Sequence, residues 1–403
     1  MNIWIFNHHA ITPNMSGGTR HYDFAKELVK RGHNVIIVAS SFHYSKYKEM
    51  KEYSKDKYLM EKVDGINFIW IKTPPYFGNG LNRVKNMLSY SYKALHLIPK
   101  LGLNKPDIII GSSVHLFAVY TAYRLSLKYD TPFIMEVRDI WPQTLIDMGI
   151  SKWHPFIIIL GWLEKYLYKR ADKIISNLPF AYEHIEKFVS RDKVVWISNG
   201  VDIDNITYTP KKKTRIFTIT YTGAIGIANN LTLLIEAAEK LKEKKDIFFR
   251  IVGDGAEKEK LKKLINEKQL QNISIEDPIA KNEVAKILLS SDILFISIKD
   301  SPLYKYGISM NKIFDYMAAG RVIIISSNAR NNPIKDAKAG YTIEPDNAEQ
   351  LVKTILEIYN LSQEERNAIG EKIRKYVEEN YSINILTNKL EKILKEAIDC
   401  KNK

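Results

Sequence analysis

A single cysteine, Cys400, stands in 403 residues. One thiol forms no disulfide within the chain and no thiolate metal cluster, and such sparing use of cysteine suits a reducing compartment. Long apolar runs are missing too. The longest, Phe156 to Gly161 with Trp162 and Leu163, is far short of the ~20 residues of a membrane-spanning helix. The opening residues, Met1-Asn2-Ile3-Trp4-Ile5-Phe6, lack a basic stretch and a long apolar core, so they read as a strand and not as a signal peptide. Nucleic-acid signatures are absent. Acidic residues are in deficit, 46 against 60 Lys and Arg, for a net charge of +14. Such an excess attracts polyanions. With no nucleic acid expected, the partners are an anionic membrane surface and phosphorylated substrates. The expected location is cytoplasmic, peripheral on the inner face of the plasma membrane.

What is there is a folded α/β pattern, with 45% hydrophobic and 26% charged residues. A chain of this length exceeds the usual single core, so two domains are expected. Asn2–Asn7 reads as a strand, followed by a loop with Pro13, Gly17 and Gly18, a helix over 19–31 and a strand over 34–40. That is a βαβ start with glycines at its first crossover, where doubly wound sheets bind ligands. Residues 43–62, rich in Lys and Tyr, read as a mobile, partly helical excursion before a strand at 65–73. An amphipathic helix over 83–101 carries Arg83, Lys85, Lys93 and Lys100, and such helices lie on anionic membranes or on domain surfaces. The strand over 131–139 ends in Glu136, Arg138 and Asp139, the functional edge of such a sheet. The helix over 156–170 offers Phe156, Ile159, Leu160, Leu163 and Tyr166 as core packing or as a membrane patch.

A polar stretch marks a linker between about 195 and 215, after which the βαβ pattern restarts. Strand 217–222 runs into Gly223-Ala224-Ile225-Gly226, and strand 246–252 into Gly253-Asp254-Gly255. The expected domains are 1–200 and 201–380, with a C-terminal helix over 381–403 that has the option of returning to the first domain. The most telling stretch is Ser309 to Gly320, leading into Arg321-Val322-Ile323-Ile324-Ile325-Ser326. Ser309 is a candidate helix cap and Gly320 a candidate stop. Lys312 and Asp315, three apart, share a face near the helix start. Free N–H groups and a lysine suit a diphosphate, and a carboxylate one turn on suits ribose hydroxyls.

These motifs resemble those of the retaining glycosyltransferases of family 4, which have the GT-B fold of two Rossmann-like domains facing across a cleft. The likeness rests on Ser16-Gly17-Gly18 with Gly32-His33-Asn34-Val35, on Glu136-Val137-Arg138-Asp139-Ile140-Trp141-Pro142, and on Ser198-Asn199-Gly200-Val201-Asp202. It continues through Tyr221-Thr222-Gly223-Ala224-Ile225-Gly226, Val252-Gly253-Asp254-Gly255 and Asn311 to Gly320. The bacterial surface-polysaccharide branch, the WbuB-like aminosugar transferases, is the nearest in pattern. The resemblance implies a UDP-sugar donor, with Asp315 on the ribose and Ser309, Asn311 and Lys312 around the diphosphate. It also implies Gly17, Gly18, Gly223, Gly226, Gly253 and Gly255 in donor binding, and Lys312, Arg138 and Asp139 as catalytic residues. His9, Glu136, Arg138 and Asp139 would face the acceptor, a polyprenyl-pyrophosphate-linked saccharide of O-antigen or capsule assembly. No metal and no cofactor is implied.

Departures are visible. Many relatives carry two glutamates eight apart where this chain has Gly307 and Asp315. An Arg and a Lys usual after the second domain's first strand are replaced within Gly226-Ile227-Ala228-Asn229-Asn230, and Met310 stands where proline is common. The alternatives are a UDP-sugar 2-epimerase and a non-catalytic, membrane-bound assembly subunit.

Overall fold

The computed structural model describes residues 1–401 except 16, 45, 55, 79, 114 and 280, with the backbone alone at 281, 282 and 303. Ser16 of the first glycine motif therefore lies outside the described residues. The chain divides into Met1–Ser198 with Ile383–Lys403, and Asn199–Ser382.

In the first unit the strands are β1 (Asn2–Phe6), β2 (Asn34–Ser40), β3 (Phe42–His43), β4 (Lys48–Glu49), β5 (Tyr58–Val63), β6 (Ile66–Ile71), β7 (Ile108–Ser112), β8 (Phe133–Val137), β9 (Lys173–Ser176) and β10 (Val194–Trp196). The longer helices are α1 (Arg20–Lys30), α2 (Leu81–Leu97) and α3 (Leu116–Tyr129), followed by α4 (Gln143–Asp147), α5 (Pro155–Arg170) and α6 (Tyr182–Ile185). Eight strands make one sheet in the order β10-β9-β8-β7-β1-β2-β6-β5. It is parallel except at the β5–β6 edge. β7 and β8 are buried at every position, as parallel strands covered on both faces must be.

Residues 43–62 differ from the expected helical excursion: β3 and β4 form a small antiparallel pair, and β5 adds an edge strand. Only one face of β5 is covered, so Tyr58-Leu59-Met60-Glu61-Lys62-Val63 mixes charge with apolar residues, as exposed edges do. That mixture hides a strand from a reading of composition.

The second unit holds β11 (Phe217–Ala224), α7 (Thr232–Lys240), β12 (Ile247–Asp254), α8 (Lys258–Glu267), β13 (Ile273–Glu276), α9 (Lys281–Ser290), β14 (Ile293–Ser297), α10 (Asn311–Ala318), β15 (Val322–Ser326), α11 (Pro333–Asp336), β16 (Tyr341–Ile343), α12 (Ala348–Asn360) and α13 (Gln363–Tyr381). Its six parallel strands run β13-β12-β11-β14-β15-β16. The last helix, α14 (Ile383–Lys401), packs on α1 of the first unit. Leu386, Leu390 and Leu394 enter the core around Leu28. Arg31 fastens the pair, donating to Glu391 at 3.0 Å and Asn388 at 2.7 Å.

Candidate active site

In the second sheet β11 lies between β12 and β14. The chain leaves through β12 and β13 and returns on the other side of β11, so the strand order reverses there. Crevices at the carboxyl ends of strands at such a reversal are where open α/β sheets bind ligands. α10 starts at this edge. Its N-cap is Met310, in extended conformation, and no side chain caps the helix.

Ser309, expected as the cap, does something else. Its Oγ accepts the Asn199 backbone N–H at 2.9 Å, and the Asn199 side-chain amide donates to the Ser309 carbonyl. A loop-to-loop tie takes the hydroxyl, leaving the first-turn amides of α10 without a side-chain acceptor.

Lys312 stands at the centre of the group. Its Nζ donates to the Tyr221 hydroxyl at 2.5 Å and lies 4.1 Å from the centre of that ring. Burial brings its pKa down to about 7. Gly223, with φ +130°, leaves the room: a Cβ there would lie 2.8 Å from Lys312 Nζ. Tyr316 ties α10 to β11, its hydroxyl accepting the Thr222 N–H at 2.6 Å. Asp315 is half-buried.

Gly253 has a different reason to be glycine. A Cβ on it would sit 1.8 Å from the Gly223 carbonyl oxygen, and one on Gly255 would sit 2.3 Å from that of Ile225. Their missing side chains let the ends of β11 and β12 close on each other, with the Ile225 N–H on Asp254 O at 2.8 Å. Gly226 opens the short turn Ile227–Asn229, where Asn229 Nδ2 donates to Ala224 O at 3.0 Å.

Two cations escaped the sequence reading. Lys299 follows β14, and its backbone N–H reaches Ala228 O at 3.0 Å. With Lys260 it lines a cavity of about 120 Å³ beside Gly226, Ile227, Asn230 and Glu257. Positive charge thus stands beside the turn that lacks its expected Arg and Lys. The signal was a lysine two residues beyond a fully buried strand. A second cavity of about 450 Å³ lies after β14 and β15, lined by Asp300, Tyr304, Lys305, Asn328 and Arg330.

The first unit holds the other candidates. Its sheet reverses at β1, which lies between β2 and β7. Glu136, at the end of β8, receives Arg20 Nε at 2.8 Å, Ser112 Oγ at 2.6 Å and His21 Nε2 at 2.6 Å. Arg20 also holds the carbonyls of Ile197, at 2.8 Å, and Ser198, at 2.5 Å. Burial opposes the Glu136 carboxylate, yet the charges of His21 and Arg20 outweigh it and hold its pKa well below the usual range. Glu136 is 5% exposed. In place of the expected acceptor contact, its carboxylate anchors α1 to the sheet. Arg20 and His21 were missed because their partners are more than a hundred residues away.

Arg138 is half-buried, with its N–H on Ser113 Oγ at 3.1 Å, while Asp139 is exposed. His9 follows β1 and stacks on His8 with ring centres 4.4 Å apart. Gly17 has φ +138°, and Ile11 fills the space of its missing side chain at 2.9 Å. Gly18 is half-buried just ahead of α1. Thus Gly17, Gly18, His9, Glu136, Arg138 and Asp139 belong to the first unit. Gly223, Gly226, Gly253, Gly255, Ser309, Asn311, Lys312 and Asp315 belong to the second. Among the described residues no cluster of three or more His, Cys, Asp or Glu has a metal-holding arrangement.

Comparison with known proteins agrees with this architecture. Residues 16–205 match the model for Glycosyltransferase Family 4, and residues 203–376 the model for Glycosyl transferases group 1. WcaI of Escherichia coli K12, described as a colanic acid biosynthesis glycosyl transferase, is 22% identical over 281 residues, covering 65% of this chain and 68% of that one. Among solved structures, sucrose-phosphate synthase of Thermosynechococcus elongatus has a TM-score of 0.76 at 13% identity, covering 99% of each chain. HepE of Anabaena, solved with UDP and glucose, has a TM-score of 0.69 at 13% identity, covering 98% of this chain and all of that one. The two family models follow one another along the chain as the two parallel-sheet units do, and the fold, two Rossmann-like α/β units, is that of the solved GT-B structures.

Proposed function

We propose that the chain moves a sugar, an N-acetylated or deoxy aminosugar, from UDP to a polyprenyl-pyrophosphate-linked saccharide in bacterial surface-polysaccharide assembly, with retention at the anomeric carbon. The observation that carries this reading is Lys312, held on Tyr221 against Gly223 at the start of a helix without a side-chain cap. The UDP held by HepE and the polysaccharide role in the name of WcaI support it.

As the bond from the anomeric carbon to the diphosphate breaks, negative charge grows on the leaving oxygen. One half-buried cation and the amides at a helix start stabilise that charge without reorganising at the moment of reaction. Asp315, one turn along α10, accepts hydrogen bonds from the ribose. The acceptor hydroxyl attacks on the face that UDP leaves, with Arg138 and Asp139 on the acceptor side. Gly307 offers no carboxylate to the transferred sugar.

The test is UDP release from a panel of UDP-sugars, with and without a polyprenyl-diphosphate-linked saccharide. Release that requires the acceptor is the expected result. A new UDP-sugar formed without acceptor would move the reading to an epimerase. No turnover with any pair would favour an assembly subunit.

The same reading seats the protein on an anionic membrane. No helix among the described residues is long and apolar enough to cross one. However, α5 exposes Ile158, Ile159 and Trp162, and Trp153 just ahead of it is 75% exposed. Leu160 and Leu163, expected on that surface, are buried instead. α2 exposes Leu81, Leu88 and Tyr92. Lys152, Lys165, Lys169 and Arg170 are exposed around the α5 patch, and its one carboxylate, Glu164, is buried on His184 and Tyr168. Sedimentation with anionic vesicles is expected and should weaken with salt. Trp162→Glu should lower partitioning about tenfold or more, since a buried large side chain contributes roughly 1.5–3 kcal/mol. No sedimentation at low salt would retire the membrane role.

A further inference from the structure

At the reversal point of the first sheet, four buried nitrogens have no hydrogen-bond partner among the described residues: His8 Nε2, both ring nitrogens of His9, and Arg138 Nε. Leaving even one such group unsatisfied costs roughly 1–3 kcal/mol, so several in one place call for an explanation. They are not scattered. His8 and His9 follow β1. His115, at the start of α3 after β7, meets His8 Nδ1 at 2.7 Å. Tyr90 of α2 stacks on His8 at 4.4 Å and its hydroxyl donates to Val38 O at 2.7 Å, locking the ring below.

The surroundings are positive. Burial and the charges of Arg83, His43 and Arg138 drive the pKa of His9 down to about 3. Arg83 acts in the same direction on His8 and His115. Of the nearby carboxylates, Glu136 is taken by Arg20 and His21, and Asp139 meets part of the charge of Arg138. Helix α2 suits a membrane face or a domain surface, and the charge of Arg83, its third residue, reaches this cluster.

We propose that His9, Arg83 and Arg138 form a diphosphate-binding site in the first unit that receives the pyrophosphate of the lipid-linked acceptor. Two guanidinium groups match phosphate oxygens through paired N–H donors, and neutral histidine adds a directed N–H. A diphosphate there would accept from Arg138 Nε and from the one N–H of neutral His9, and would offset the clustered charge. The assignment rests on the acceptor named above, and the same chemistry could come from the donor, so the experiment separates the two.

The test is isothermal titration of the whole protein with farnesyl diphosphate, farnesol and UDP. Farnesyl diphosphate should bind and farnesol should not. Arg83→Gln and Arg138→Gln should each weaken farnesyl diphosphate at least tenfold, with UDP affinity unchanged within about twofold. His9→Gln, which keeps a neutral donor, should lose less than His9→Leu. Thermal unfolding of each variant separates lost folding from lost contacts. Wild-type affinity for farnesyl diphosphate in both arginine variants would overturn the site, and so would an equal loss for UDP, which would give the cluster to the donor. Because binding is read without turnover, the site can stand if acceptor-dependent UDP release fails, and can fall if it succeeds.

Discussion

Lys312→Ala is expected to lower turnover roughly 30- to 1000-fold, the kinetic equivalent of losing about 2–4 kcal/mol of charge-assisted contact to the departing diphosphate. Nζ has a built seat: Tyr221 holds it at 2.5 Å, and Gly223 leaves it space. Truncation therefore removes a positioned cation and not a solvated one. The effect has a pH signature. Burial brings Lys312 down to about 7 from its ordinary 10.5, so the free enzyme loses its positive charge as pH rises through 7.

kcat/KM for the UDP-sugar should then fall on the alkaline side with a limb near that value. The limb in kcat should lie higher, because a bound diphosphate favours the charged amine. Stability moves the opposite way. Between about 7 and 10.5 the unfolded lysine holds a proton that the folded one has lost, so this group adds stability as pH rises across that window. Lys312→Ala should flatten both dependences. Wild-type rates in that variant, with the alkaline limb intact, would remove Lys312 from the mechanism.

Glu136→Ala is expected to be the most damaging change to the first unit. It strips the partner from Arg20, which is 4% exposed, and from His21, which is 6% exposed. Breaking a buried pair on one side costs about 3–5 kcal/mol. For a unit of this size that lowers the melting temperature by roughly 6–20 °C, at 2–4 °C per kcal/mol. The sign with pH is fixed by the depressed acid. Its contribution is full above the unfolded glutamate value of 4.5 and is lost as pH falls through the lower, folded value. Urea unfolding at pH 7 and at pH 4 reads both effects. The deficit should shrink by no more than about 1 kcal/mol at pH 4, because the folded carboxylate, held well below 4.5, is still ionised there. A deficit below about 1 kcal/mol at pH 7, within the range of an exposed ion pair, would mean that Glu136 does not anchor α1.

Local pattern carries much of this molecule. Two βαβ series with glycines at each first crossover are legible in the chain, because strand runs such as Ile323-Ile324-Ile325 and turns such as Gly223 to Gly226 depend on near neighbours. So is the candidate pair Lys312 and Asp315, since three residues along a helix set a shared face. What lay beyond the sequence depends on partners far along the chain. Ser309 had the right chemistry for a cap, but Asn199, 110 residues away, claims its hydroxyl. Glu136 had the right place at a strand end, but Arg20 and His21 arrive from α1 and take its oxygens. The edge strand β5 was invisible because one covered face leaves no long apolar run. The helix after residue 382 has an amphipathic pattern that any apolar surface could satisfy. Only the tertiary structure, by offering Leu28 of α1 and Arg31 at its C-terminal end, decides that it closes the first unit.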